Sequence, residues 1–167
     1  MGMNTRLYPS GVDGKTDNYA DLGFDVSYEL GFPAGSLAIH PVYLGEKQKL
    51  NATYETAGSS NLSNTLNSFK VSAELFLKQG VGFTMGYFNT NGSADAIYYN
   101  NLNDGPSDKP DSNGYMAEFD YLRWHNVKLS VAYTIYSKFN GVSSDIDGHG
   151  RNARDNNTAY VLAWFNF

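Results

Sequence analysis

In seven segments between residue 19 and the end of the chain, apolar side chains return at every second position. Residues 19–30 place Ala20, Leu22, Phe24, Val26, Tyr28 and Leu30 on one side and Asp21, Gly23, Asp25, Ser27 and Glu29 on the other. Successive side chains of an extended chain point to opposite faces, so this period marks a strand with unlike surroundings on its two sides. The pattern recurs at 36–46, 65–78, 81–88, 114–124, 127–136 and 157–167. The last segment sets Ala159, Val161, Ala163, Phe165 and Phe167 against Thr158, Tyr160, Leu162, Trp164 and Asn166. No segment keeps a convincing 3.6-residue period, and no apolar run approaches the roughly 20 residues of a membrane helix. The expected fold is all-β and antiparallel with seven clear strands.

Turn chemistry orders these strands. Connections at 31–35, 79–80 and 125–126 are short, whereas the one with its tip at 57–61 and those at 100–113 and 140–156 are long and rich in Asn, Asp, Gly and Ser. Short and long connections alternate, so all short turns lie at one end of an up-and-down meander. Pro41 is an awkward residue inside the second strand because it cannot donate to a ladder. The apolar phase then shifts to Leu50, Ala52 and Tyr54, which predicts a bulge or an extension near residues 45–49. Residues 96–99 are expected to extend the hairpin of the fourth strand. Residues 1–18 read as an N-terminal loop or partial strand, and 19–167 as one β-domain. An eighth strand drawn from residues 3–14 would make the count even.

The segment from Ala159 to Phe167, together with the alternating ten-residue strands and the loop asymmetry, resembles the C-terminal region of bacterial outer-membrane β-barrel proteins of porin type. A narrower resemblance joins Tyr136–Gly141 and Gly150–Thr158 to the C-terminal region of large barrels associated with multihaem c-type cytochromes. The first resemblance implies an antiparallel, up-and-down transmembrane β-barrel in the outer membrane of a Gram-negative bacterium. It implies outer-membrane lipid as surroundings and recognition of the C-terminal strand by the barrel-assembly machinery. The second implies a sheath around a periplasmic or multihaem cytochrome, whose haem would belong to the partner. Met1–Arg6 lacks the apolar stretch of a signal peptide. The chain is therefore expected to be either a mature protein or, the preferred reading, the C-terminal part of a larger barrel.

Composition narrows the function. The chain has no cysteine, so it carries no disulfide, thiolate nucleophile or haem-attachment motif. Its net charge is −5, without a basic stripe, which speaks against nucleic acid as a partner. The charged set opposite the apolar face comprises Asp21, Asp25, Glu29, His40, Lys70, Glu74, Glu118, Asp120 and Lys128. In a barrel these side chains line a lumen, and the excess of acids favours cations. The competing reading pairs them with one another as filling for a narrow interior. Phe32, Tyr121, Trp124, Trp164, Phe165 and Phe167 gather at the short-turn end as a membrane girdle. His40, His125 and His149 fall in separate places with no nucleophile in register, so no enzyme, catalytic residue or cofactor is expected. Asp145–Gly150 reads as a solvated loop rather than a metal site. The expected function is passive diffusion of ions or small hydrophilic solutes. The alternatives are the cytochrome sheath and a soluble β-barrel that turns its apolar face inward around an apolar ligand.

Overall fold

The computed structural model describes residues 2–7, 14–99, 107–124 and 126–165. It contains nine antiparallel strands in one sheet: β1 (Gly2–Leu7), β2 (Asp17–Asp25), β3 (Tyr28–Phe32), β4 (Gly35–Lys49), β5 (Ser63–Leu77), β6 (Val81–Gly92), β7 (Ser112–Trp124), β8 (Val127–Lys138) and β9 (Thr158–Phe165). A one-turn helix, α1 (Asn51–Glu55), follows β4, and a 3-10 helix (Ala153–Asn156) precedes β9. The spatial order is β1-β2-β4-β5-β6-β7-β8-β9, with β3 beside β2 on the same edge of β4. This is the up-and-down meander that the alternating connections require.

Several expectations need correction. Residues 19–30 are not one strand, because β2 and β3 are separated at Val26-Ser27. The break lies beside Pro41 of β4, whose carbonyl accepts from Val26 N at 3.2 Å. Pro41 has no N–H to return, so the ladder is interrupted there. Part of the N-terminal segment is regular: Gly2–Leu7 pairs with Asp17–Leu22. Of the bulge and the extension expected near residues 45–49, the structure has the extension: β4 runs on to Lys49 in unbroken register with β5, from Gly35↔Leu77 to Lys49↔Ser63. Leu50, the cap position of α1, and Ala52 within it are both fully buried. Residues 96–99 form a turn rather than extending the β6 hairpin.

The expected barrel closure is also absent. Among the described residues β1 pairs only with β2 and β9 only with β8, so the sheet is open. β1 reaches only to Leu22, and the outer edge of the β2–β3 run beyond that point has no strand partner among the described residues.

Register assigns every strand residue to a face, because directly paired residues share one. One face carries Leu22, Phe24, Leu30, Ile39, Val71, Phe83, Met85, Phe119, Val131 and Val161 and holds no charged residue between its polar margins. Most of these side chains are exposed, Met85 at 71% and Val161 at 77%. On β5 the apolar run extends from Phe69 to Leu77, nine residues. At about 3.3 Å per residue it measures about 30 Å, or about 23 Å in height under a tilt of about 40°. Beyond it the same face turns polar on neighbouring strands at one level, through Gly45, Asn67 and Asn91. Among the described residues the most deeply buried apolar side chains lie elsewhere, at the end that carries the long connections, with Leu50, Ala52 and Ala153.

Candidate functional site: the polar face

The pleat puts all nine charged residues singled out from the sequence on the face opposite the apolar one. Asp21 lies opposite Glu46, Asp25 opposite Val42, and Glu29 opposite Ala38. His40 faces Ser72, Lys70 faces Val42, and Glu74 faces Ala38 on one side and Thr84 on the other. Glu118 lies opposite Thr84, Asp120 opposite Gly82, and Lys128 opposite Trp164. Each step across the sheet preserves the face, so the set is a surface rather than one cluster.

Two local groups form on it. Lys128 Nζ lies 3.0 Å from Asp120 Oδ1 and 3.7 Å from Glu118 Oε1. The Ser130 hydroxyl donates to Asp120, and both residues are almost fully buried. Gly82 makes this possible: a Cβ there would sit 3.1 Å from Asp120 Cβ. His40 pairs with Asp25 across the β2–β4 ladder at 2.5 Å, with both side chains largely exposed. Asp21 and Glu29 stand apart from both groups, near opposite ends of the β2–β3 run.

The aromatic set divides. Phe32, Tyr121 and Phe165 lie on the apolar face at the end of the short connections. Trp164 does not join them. It is the neighbour of Phe165, so it must point the other way, and it sits on the polar face opposite Lys128. Trp124 pairs through its backbone with Val127, past a register shift after Tyr121. Phe167 lies outside the described residues, as does His125.

A second aromatic row was not recognised in the sequence. Tyr43 pairs with Phe69, and Tyr87 pairs with Tyr115, at the opposite border of the apolar face. The Tyr87 and Tyr115 rings are 5.4 Å apart, and the Tyr43 hydroxyl donates to Asn67 at 2.9 Å. The signal was present at period two, where each strand passes from an aromatic to Asn: Phe69 to Asn67, Tyr87 to Asn89, and Tyr115 to Asn113.

At that end, two buried carboxylates tie the long connections down. Asp95 accepts from the hydroxyls of Ser59 and Ser60, from Ser60 N at 2.8 Å, Tyr98 N at 2.9 Å and Asn64 Nδ2 at 2.9 Å. Burial alone would raise its pKa, but these hydrogen bonds outweigh it and hold the carboxyl well below the usual range. The segment after β6 is thereby folded back against Asn64, on the polar face. Burial, with Tyr98, Asp95 and Glu46 adding to it, pushes the Tyr99 hydroxyl up to about 12. Asp17 accepts from Ala52 N at 2.8 Å, from Thr53 N at 3.2 Å and from the Thr53 hydroxyl. It caps α1 from β2, because the local cap position is Leu50, which has no side-chain acceptor.

Asp145 and Asp147 fold their own loop. Asp145 Oδ1 accepts from Gly150 N at 2.6 Å, and Asp147 Oδ1 from His149 N at 2.9 Å. The His149 amide is the main reason that the Asp147 carboxyl lies below its ordinary range. Among the described residues no three of His, Cys, Asp and Glu converge as metal ligands. No helix among them is long and apolar enough to cross a membrane, a statement that does not bear on crossing by strands. Comparison with protein-family models, with curated proteins and with solved structures gives no match to this chain.

Proposed function

We propose that this sheet is the wall of a transmembrane β-barrel in the outer membrane of a Gram-negative bacterium. Its polar face lines a hydrated passage for ions or small hydrophilic solutes. The observation that carries the reading is the apolar face: uncharged, exposed on β2 through β9 and about 23 Å in height by the strand geometry above. Soluble monomers rarely expose a continuous apolar patch of more than a few hundred Å². Aromatic rows at both borders suit the two interfaces of a lipid layer.

The opposite face supplies the lumen. Acids outnumber lysines on it, so the passage favours cations. The hydrocarbon layer tolerates no bare strand edge, so the outer edges of β1 and β9 must be paired in the assembled protein. β9 is the strand through which the barrel-assembly machinery would engage the chain.

Detergent dependence and planar-bilayer conductance test this reading together. The expected result is a protein that is monodisperse only in detergent and gives discrete, cation-preferring conductance steps. A monodisperse protein in plain buffer would refute the membrane assignment. Detergent dependence without conductance would replace the pore by the cytochrome-sheath reading.

A further inference from the structure

The carboxylates of Asp21 and Glu46 oppose each other directly across the β2–β4 ladder, on the polar face. Directly opposed residues bring their Cβ atoms within about 5.5 Å, and like charges there destabilise the pair. Among the described residues neither carboxylate has a basic partner within ion-pair distance. Asp21 Oδ1 is buried and accepts no hydrogen bond.

Gln48, two residues along β4 from Glu46, gives an independent sign. It is 5% exposed, and its Oε1 is buried and unpartnered. Its Nε2 donates to Glu46 Oε1 at 2.6 Å, which holds the amide head against the carboxylate and fixes which end is oxygen. An unsatisfied buried acceptor costs about 1–3 kcal/mol. Here two of them accompany an unrelieved pair of negative charges. More protein donors would answer the acceptors alone, whereas a bound cation answers the acceptors and the charge together.

We propose that Asp21, Glu46 and Gln48 form a binding site for a hard divalent cation, calcium above all. Such ions take carboxylate and amide-carbonyl oxygens and complete their shell with water, which suits two carboxylates and one amide on an open face. The site lies at the level where the opposite face turns polar, near the long connections. Tyr19 pairs with Gln48, and the Tyr98 hydroxyl lies against that of Tyr19. A tyrosine pair thus stands beside the ion. The inference rests on the polar face alone, whether or not the other face lies in lipid.

Tyrosine-sensitised terbium luminescence of the full chain, folded in detergent micelles, tests the site. Terbium alone should give saturable emission that calcium displaces. Asp21→Asn and Glu46→Gln should each weaken binding at least about tenfold, and Gln48→Leu should weaken it less. Asp25→Asn, on the same face but paired with His40, should bind as the wild type does. Removing one of two opposed charges relieves repulsion, so Glu46→Gln should melt higher than the wild type without calcium and lose the calcium-dependent rise. The proposal is overturned if emission does not saturate, if Asp21→Asn and Glu46→Gln bind terbium like the wild type, or if calcium raises the melting point of Glu46→Gln as much as that of the wild type.

Discussion

Ala73 offers a severe test of the lipid-facing assignment. It lies on the apolar face, exposed, at the centre of the run from Phe69 to Leu77 on β5. It pairs with Ile39 on one side and Met85 on the other. Four residues separate it from either end of the run, about 13 Å along the strand and about 10 Å in depth under a tilt of about 40°. Arginine at mid-depth on the lipid face of a barrel costs about 2–4 kcal/mol, falling to about 0–1 near the interface. Ala73→Arg should therefore lower the folding equilibrium constant by about 30-fold to several hundred-fold, at 1.4 kcal/mol per factor of ten. Asn91→Arg, on the same face but beyond the apolar run, opposite Asn67, should be close to neutral. The measurement is reversible urea unfolding from lipid vesicles, followed by tryptophan fluorescence. If the face were bathed in water, Ala73→Arg would be an ordinary surface change within about 0.5 kcal/mol. Equal, small effects at the two positions would refute the reasoning.

Other expectations follow from the polar face and the long connections. Lys128→Met removes the cation beside Asp120 and Glu118, so the reversal potential in a salt gradient should shift toward stronger cation preference. Asp95 has a depressed pKa in the folded protein. Its contribution is therefore complete above the unfolded value, about 4, and is lost as pH falls through the lower folded value. The protection factors of the Ser60 and Tyr98 amides, corrected for the intrinsic exchange rate at each pH, should fall in acid, and Asp95→Asn should produce the same loosening at neutral pH. Asp17→Ala removes the cap of α1 and should lower stability by about 1–2 kcal/mol, with protection lost at the Ala52 and Thr53 amides.

The strand pattern was largely legible because alternation is local. Residues 65–78 and 127–136 display both faces in the chain itself, and β5 and β8 occupy nearly those spans. The break at Val26-Ser27 was not legible, since its apolar period continues unbroken and its cause, Pro41, belongs to another strand. The assignment of Trp164 to the girdle failed for a simpler reason. Position along the strand was weighed without its parity, and Phe165 already occupied the apolar side.

By itself the sequence determined the β-class, the meander order, and the separation of nine charged residues from an apolar face. Each of these follows from a period of two and from turn residues, which act over a few positions of chain. Only the tertiary structure decided which residues meet across strands. Asp17 reaches the α1 amides of Ala52 and Thr53 from 35 and 36 positions away, and Asp95 reaches Ser60 across 35. The opposition of Asp21 to Glu46 depends on the β2–β4 register. Register is a property of pairs of strands, and so is the open edge at β1 and β9. Alternation along one strand cannot express either.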